Sequence, residues 1–370
     1  MRPTIGPEPH PHNSIAVAVW KSASSMRDFH LSMSTPAAPS PQLFFETINA
    51  YQKCAALKAA IELGLFTAIG KTPASAAEIA ERCSSPVRGV RILSDYLTIL
   101  GFLTKENGLY ALTPDSAVFL DRESPAYVGG TIDFFLASEL VDGFKHLTAT
   151  VRTGTVQHSE LGTIAPDHPV WIEFARAMGP MMVPAARGTA ALLPLDPSRD
   201  TRVLDISASH GTFGLAVGEA NPRAQIVALD WAAVLEVAKA NAEKAGLADR
   251  FSTIIGDAFK VDLGTDYDVI LVPNFLHHFN PADCVRFLQR AYEALRPGGK
   301  VAIVEFVPNE DRVTPPAAAG FSLVMLGSTP EGDAYTFAEY QQMLTEAGFT
   351  GALQHPLPPT AESAILATRP

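Results

Sequence analysis

Asp205 and Asp230 each close a short apolar run, and 25 residues separate them (230 − 205). The first run, Val-Leu-Asp at 203–205, opens into Ile-Ser-Ala-Ser-His-Gly at 206–211, and residues 212–220 then read as a helix. Acids at the ends of two neighbouring parallel strands, with a loop of mostly small residues after the first, let a ligand sit almost on the backbone. The second acid can then accept hydrogen bonds from a ribose diol. Ser207, Ser209 and Gly211 stand where side chains must be small so that N–H groups can face the ligand. The unit by itself implies a cofactor containing a nucleoside.

Two more clusters follow. In Gly-Asp-Ala-Phe at 256–259, after a third strand, Asp257 can accept from an adenine amino group, with Ala258 beside it and Phe259 over the ring. The same residues also suit a solvated turn beside a core phenylalanine. In Val-Pro-Asn-Phe-Leu-His-His-Phe at 272–279, Asn274, His277 and His278 follow a fourth strand. A histidine there can serve as general base near neutral pH, and its rate contribution rises as the ring deprotonates and then levels off. A structural role for one of the pair is equally open. Adjacent side chains diverge, and no Cys or Glu cluster accompanies them, so they make a poor metal site.

The elements that must position these residues alternate. Strands over 203–205, 226–229, 251–255, 269–272 and 300–306, with helices between, predict a doubly wound α/β sheet. Leu-Arg-Pro-Gly-Gly at 295–299 reads as a turn feeding the fifth strand, and 351–368 as an antiparallel pair at the sheet edge.

Upstream, Leu57, Ile61 and Leu65 recur at helical spacing, and Ser75-Ala-Ala-Glu78 is a capping box. A third helix carries Val90, Leu93, Leu97 and Leu100 on one face, and Asn107-Gly108 joins two strands as a hairpin. This is a winged-helix arrangement. Its third helix offers only Arg88 and Arg91, so packing against protein is favoured over binding DNA. Between the two regions, residues 127–193 are helical and rich in Phe and Met. They form either a connector buried against the next domain or an apolar substrate wall that includes Phe134, Trp171, Met178 and Met182.

At 370 residues the chain holds two ordinary domains. A net charge of −11 argues against a nucleic-acid partner, and no apolar run approaches a membrane span. Three scattered cysteines form no disulfide framework, which suits reduced thiols in the cytoplasm. The Pro-rich stretch over 1–41 reads as a disordered tail, dispensable over 1–32, with Met33 available as an alternative start. The expected division is tail 1–41, winged-helix dimerisation domain 42–125, helical connector or lid 126–195, and cofactor-binding domain 196–370.

Together these segments resemble the class I S-adenosylmethionine-dependent methyltransferases, most closely the dimeric small-molecule O-methyltransferases with an N-terminal winged-helix dimerisation domain. The resemblance covers about residues 42–370. It implies a Rossmann-like domain, S-adenosyl-L-methionine as cofactor, a homodimer, and a small aromatic or polyketide-like hydroxyl acceptor. It places Asp205, Ser207, Ser209 and Gly211 in the cofactor loop, Asp230 on the ribose and Trp231 beside the adenine. Asp257, Ala258 and Phe259 fall at the adenine edge, Asn274 near the methionine portion, His277 at the proton-abstracting position and Glu305 beside it.

Two departures stand out. Serines replace two loop glycines, and Ala334 and Tyr335 replace a Glu-Arg pair whose Glu helps orient the histidine. The alternatives are C- or N-methylation, or a same-fold enzyme that binds the cofactor without transferring methyl. A nicotinamide oxidoreductase and a winged-helix regulator fit less well.

Overall fold

A computed structural model describes residues 39–157, 160–193 and 195–370; all but the last three residues of the tail expected over 1–41 lie outside them. The chain divides into two compact units at Gly129–Gly130.

In the first unit the order is α1 (Gln42–Ile48), α2 (Ala50–Glu62), α3 (Leu65–Ile69), β1 (Ala74–Ser75), α4 (Ala76–Arg82), α5 (Val87–Ile99), β2 (Leu103–Glu106), β3 (Leu109–Leu112) and α6 (Pro114–Phe119). The left-handed Gly64, at φ 65°, breaks the helix between Ile61 and Leu65. Ser75 and Glu78 form the expected reciprocal cap on α4. Asn107 and Gly108, both at positive φ, make the two-residue turn of the hairpin. On α5 the buried face is Val90, Ser94 and Leu97, with Leu93 and Leu100 half-buried. Phe66, Ile69, Ile79, Leu103 and Tyr110 complete this core. Nothing on α1 is buried, although it carries Leu43, Phe44, Phe45 and Ile48.

The second unit opens with α7 (Ile132–Phe135), α8 (Ser138–Lys145), α9 (Leu147–Thr153), α10 (Val170–Ala177) and α11 (Gly179–Leu192). The alternating part follows: β4 (Thr201–Ile206), α12 (Thr212–Ala220), β5 (Ala224–Asp230), α13 (Ala232–Lys244), β6 (Phe251–Ile255), β7 (Tyr267–Pro273), α14 (Pro281–Ala294) and β8 (Leu295–Glu305). It ends with α15 (Pro316–Ala319), α16 (Phe321–Ser328), α17 (Phe337–Glu346), β9 (Thr350–Pro356) and β10 (Ser363–Thr368).

The seven strands are ordered β6-β5-β4-β7-β8-β10-β9. The first five run parallel, and β10 is antiparallel to both β8 and β9. The sheet expected from alternation and the antiparallel pair at its edge are both present. Fully buried Leu204, Ile270, Val272 and Ile303 pack with α14 and α17 residues in one cluster. Val203, Val269, Leu271 and Ala302 pack with α11 and α12 residues in another. One local expectation changes. The 295–299 turn is absorbed into β8 as an irregularity, because Tyr267 pairs with Leu295 and Val269 with Lys300, so five residues oppose two.

Candidate active site

The carboxyl ends of β4, β5, β7 and β8 converge on one edge of the sheet, where open α/β folds bind ligands. Asp205, next to last in β4, is fully buried, and Gly214 N–H donates to its Oδ2 at 2.8 Å. Burial pushes this carboxyl up to about 8, against the Gly214 bond and helped by the nearby Asp230. Gly214 must stay small, because a Cβ there would lie 2.9 Å from that oxygen.

The loop then turns through three left-handed residues, Ser207 at φ 51°, Ser209 at 53° and Gly211 at 75°. This conformation is the physical reason glycines suit these positions, since a Cβ costs about 1 kcal/mol there. Ser209 N–H donates to Asp230 Oδ2 at 2.8 Å, and Trp231 N–H to Asp230 Oδ1 at 2.7 Å. Asp230 therefore ties the end of β5 to the loop after β4. Burial raises it to about 6 against those two bonds.

Beyond β7, Asn274 turns the chain at φ 51° and its N–H donates to Val304 O on β8. A short 3-10 turn, Leu276–His278, follows, pinned by the fully buried Leu276. The N–H groups of Phe275, Leu276 and His277 all donate to Glu305 Oε1, at 3.0, 2.9 and 3.3 Å. Glu305 Oε2 lies 2.5 Å from His277 Nδ1. Three converging donors favour a carboxylate, and a neutral imidazole donating through Nδ1–H leaves Nε2 as the acceptor. Burial lowers His277, to about 3, and raises Glu305, while the neighbouring His278 and the three N–H donors pull Glu305 back toward its carboxylate form. His278 is likewise lowered by burial, and its Nδ1 sits 3.1 Å from Phe275 O.

An aromatic chain adjoins this turn. Trp171 meets His278 edge-on at 5.2 Å and Phe174 at 5.9 Å, and Phe174 meets Phe134 at 4.9 Å. Phe321 meets His277 edge-on at 4.8 Å and stacks on Phe306 at 4.1 Å. Met178 and Met182 are buried with Val203 and Val269, so they serve the core, although Met182 Sδ also lies 3.7 Å from Asn274 Nδ2. Asp257 Oδ1 accepts from Phe259 N–H, and its other oxygen pairs with Lys260. The Phe259 ring packs among Phe275, Phe279 and Phe287, and Ala258 is buried.

Three residues at this edge escaped the sequence reading. His210, buried in the cofactor loop, stacks on Phe174 at 5.9 Å, and burial lowers it to about 4. Glu362, just before β10, bonds Asn274 Nδ2 at 2.9 Å. Gly332 backs onto the His277 turn. His210 lay within the motif, but nothing in its spacing marked burial; the other two come from loops with no periodic signal.

Buried polar atoms without a partner test whether a ligand fits. Among the described residues there are eight, and four of them, Asp205 Oδ1, Ser209 Oγ, His210 Nε2 and Asn274 Oδ1, lie at or just past the ends of β4 and β7. Orphaned groups are costly, so their concentration here suits a polar ligand that completes them. Among the described residues no group of three His, Cys, Asp or Glu could hold a metal ion.

Comparison with known proteins agrees. The O-methyltransferase domain family model matches residues 144–350, and the O-methyltransferase dimerisation domain matches 45–122. A solved structure from Nostoc punctiforme, described as a candidate O-methyltransferase, is 52% identical, with TM-score 0.86 over 89% of this chain and 99% of that one. The tetracenomycin polyketide synthesis 8-O-methyl transferase TcmO of Streptomyces glaucescens is 30% identical over 80% of this chain and 87% of its own. PigF of a Serratia species, an S-adenosyl-L-methionine-dependent methyl transferase, is 27% identical over 79% of this chain and 86% of its own. Its structure with S-adenosylhomocysteine matches with TM-score 0.77 over 89% of this chain and 100% of that one, at 26% identity.

Proposed function

The chain belongs to the S-adenosylmethionine-dependent O-methyltransferases with an N-terminal dimerisation domain, and from that premise we propose that it methylates a hydroxyl on a small aromatic or polyketide-like acceptor, with His277 as general base. The observation that carries this reading is the Glu305–His277 pair, which leaves one imidazole nitrogen free to take a proton.

Asp230 holds the ribose hydroxyls, Trp231, Asp257 and Ala258 border the adenine, and the left-handed loop lies under the amino-acid portion. When bound, the cofactor supplies an electrophilic sulfonium methyl that a hydroxyl oxygen can take. His277 Nε2 accepts the proton from that hydroxyl, while Glu305 keeps Nδ1 protonated and the ring fixed. Such general-base help contributes about 10²–10⁴-fold. Trp171, Phe134, Phe174 and Phe321 offer an apolar wall that selects a flat acceptor and excludes water. Alignment of this kind can supply roughly 7–11 kcal/mol. The test is transfer of labelled methyl to a panel of phenolic and naphthoate acceptors. Label recovered only in amines or carbon-linked methyls would overturn the oxygen assignment.

Asp230→Ala should weaken S-adenosylhomocysteine binding far more than Ser207→Gly does. The variant removes both the ribose acceptor and the clamp on Ser209 N–H, charge-assisted bonds worth about 1.5–3 kcal/mol. Ser207→Gly instead relieves a left-handed serine, so affinity and melting temperature should stay at wild-type level or rise slightly. Calorimetry showing unchanged affinity in Asp230→Ala would misplace the ribose.

The working form is a homodimer in the cytoplasm. The exposed Phe45, Ile48 and Tyr51 on α1 and α2, within the region matched by the dimerisation domain, and Leu43 and Phe44 just before it, form an apolar surface of the kind a partner copy covers. Light scattering at micromolar concentration should give twice the chain mass, and a monomer would reject this assembly. The cysteines are unpaired, as reduced thiols would be.

A further inference from the structure

Glu362 is a buried carboxylate that lacks a cation. It is 4% exposed, and among the described residues no Lys, Arg or His pairs with it. One oxygen accepts from Asn274 Nδ2 at 2.9 Å. That bond fixes the Asn274 amide, because turning it over would set oxygen against oxygen. Asn274 Oδ1 is then left buried with no donor. A third acceptor, Met182 Sδ, lies 3.7 Å from the same amide nitrogen. The cluster thus offers acceptors and a negative charge, and its one donor group, the Asn274 amide nitrogen, already faces Glu362 and Met182.

Its position in the sheet is defined by register. Asp205 pairs with Leu271 across β4 and β7, so Asn274, three residues on, lies just past the end of β7, the strand beside the one that carries the cofactor loop. Ser363 pairs with Glu305 across β10 and β8, which brings Glu362 to the same edge. Asp230, at the end of β5, lies on the opposite side of β4. A ligand with its ribose at Asp230 and its body across the 207–211 loop reaches Asn274 with its far end.

We propose that Glu362 and Asn274 form an ammonium-binding site that receives the α-amino group of the methyl donor's amino-acid portion. An ammonium brings the missing charge and N–H donors for both the Glu362 carboxylate and Asn274 Oδ1; a sulfonium brings no donors. The proposal rests on the cofactor reading above. Burial raises Glu362 to about 7, so an arriving cation also stabilises its ionised form.

The test uses the full chain and calorimetry with two probes, S-adenosylhomocysteine and its analogue lacking the α-amino group. Wild type should prefer the amino compound by roughly tenfold to a hundredfold, as expected for a charge-assisted bond. Glu362→Gln should shrink that preference to about threefold or less, with the desamino analogue bound nearly as well as by wild type. Analogue binding and melting temperature report that the variant is folded. Equal affinities of wild type for the two probes would overturn the proposal, including the case in which the acceptor carries the ammonium. Equal weakening of both probes in Glu362→Gln would also overturn it, by making Glu362 merely structural. If wild type bound neither probe, the cofactor reading itself would fall, and this assignment with it.

Discussion

Glu305→Gln should cost about as much turnover as His277→Ala, roughly 10²–10⁴-fold, with S-adenosylhomocysteine binding retained in both. Removing the imidazole deletes the base. The glutamine leaves it in place but disables it. Its carbonyl oxygen can still accept from the three N–H groups of residues 275–277, which sets its NH₂ against His277 Nδ1. Nδ1 must then become the acceptor, and the ring proton moves to Nε2, the nitrogen that has to take a proton from the acceptor. His278→Ala should cost much less, because its Nδ1 is occupied by a backbone carbonyl and its ring faces Trp171.

The pH profile separates this account from a solvated histidine. An imidazole at its ordinary value would make the rate rise through pH 6–7. Burial lowers His277 to about 3, so the ring is already neutral at pH 5. Turnover should therefore show no imidazole step near pH 6.5, and the loss from protonating the ring should come only as pH approaches the lowered value. A step near pH 6.5 in kcat would show that the ring is solvated in the working complex. Unchanged turnover in Glu305→Gln would show that the pair does not set the tautomer.

The strand ends were legible because parallel strands buried on both faces read as apolar runs, and an acid or amide closing such a run must face the ligand edge. That logic brought Asp205, Asp230 and the histidines at 277 and 278 to one edge; Asn274 and Glu305 were assigned there by the family resemblance. It did not extend to Glu362, which follows a loop between antiparallel strands and reaches the site only through the pairing of β10 with β8. The serines at 207 and 209 were read as small; their left-handed backbone is visible only in the structure. Phe259 shows the opposite limit. An aromatic after a strand suits an adenine ring or a core equally, and here the ring packs in a four-phenylalanine cluster. Met178 and Met182 follow the same rule, since helical apolar spacing cannot distinguish a wall from a core.

Gly332→Ala should lower turnover by 10²-fold or more while leaving S-adenosylhomocysteine affinity within about threefold, since a shift of about 1 Å at a catalytic group can cost that much. A Cβ at 332 would lie 2.3 Å from the His277 carbonyl oxygen, 2.6 Å from Thr329 Oγ1 and 3.0 Å from the His278 carbonyl carbon. Backbone cannot yield as a flexible side chain can, so either the His277 turn or the 331–335 segment must move. The segment is held on both sides. Glu331 accepts from Asn280 Nδ2 at 2.6 Å, and Tyr335 O–H donates to Phe279 O at 2.5 Å. Thr329, buried, accepts from Gly332 N–H at 3.0 Å and donates to Met325 O at 2.8 Å. Displacement therefore falls on His277 and on its 2.5 Å contact with Glu305.

Ala334 is fully buried, and the segment packs on the histidine turn by close backbone approach and the Tyr335 hydroxyl. The loss should appear in kcat with KM for the methyl donor little changed, because Asp205, Asp230 and the loop between them lie on other strands. Glu331→Ala, which removes one exposed tether, serves as the control and should cost only a few-fold. Wild-type turnover in Gly332→Ala would show that the segment can move aside and does not position the base.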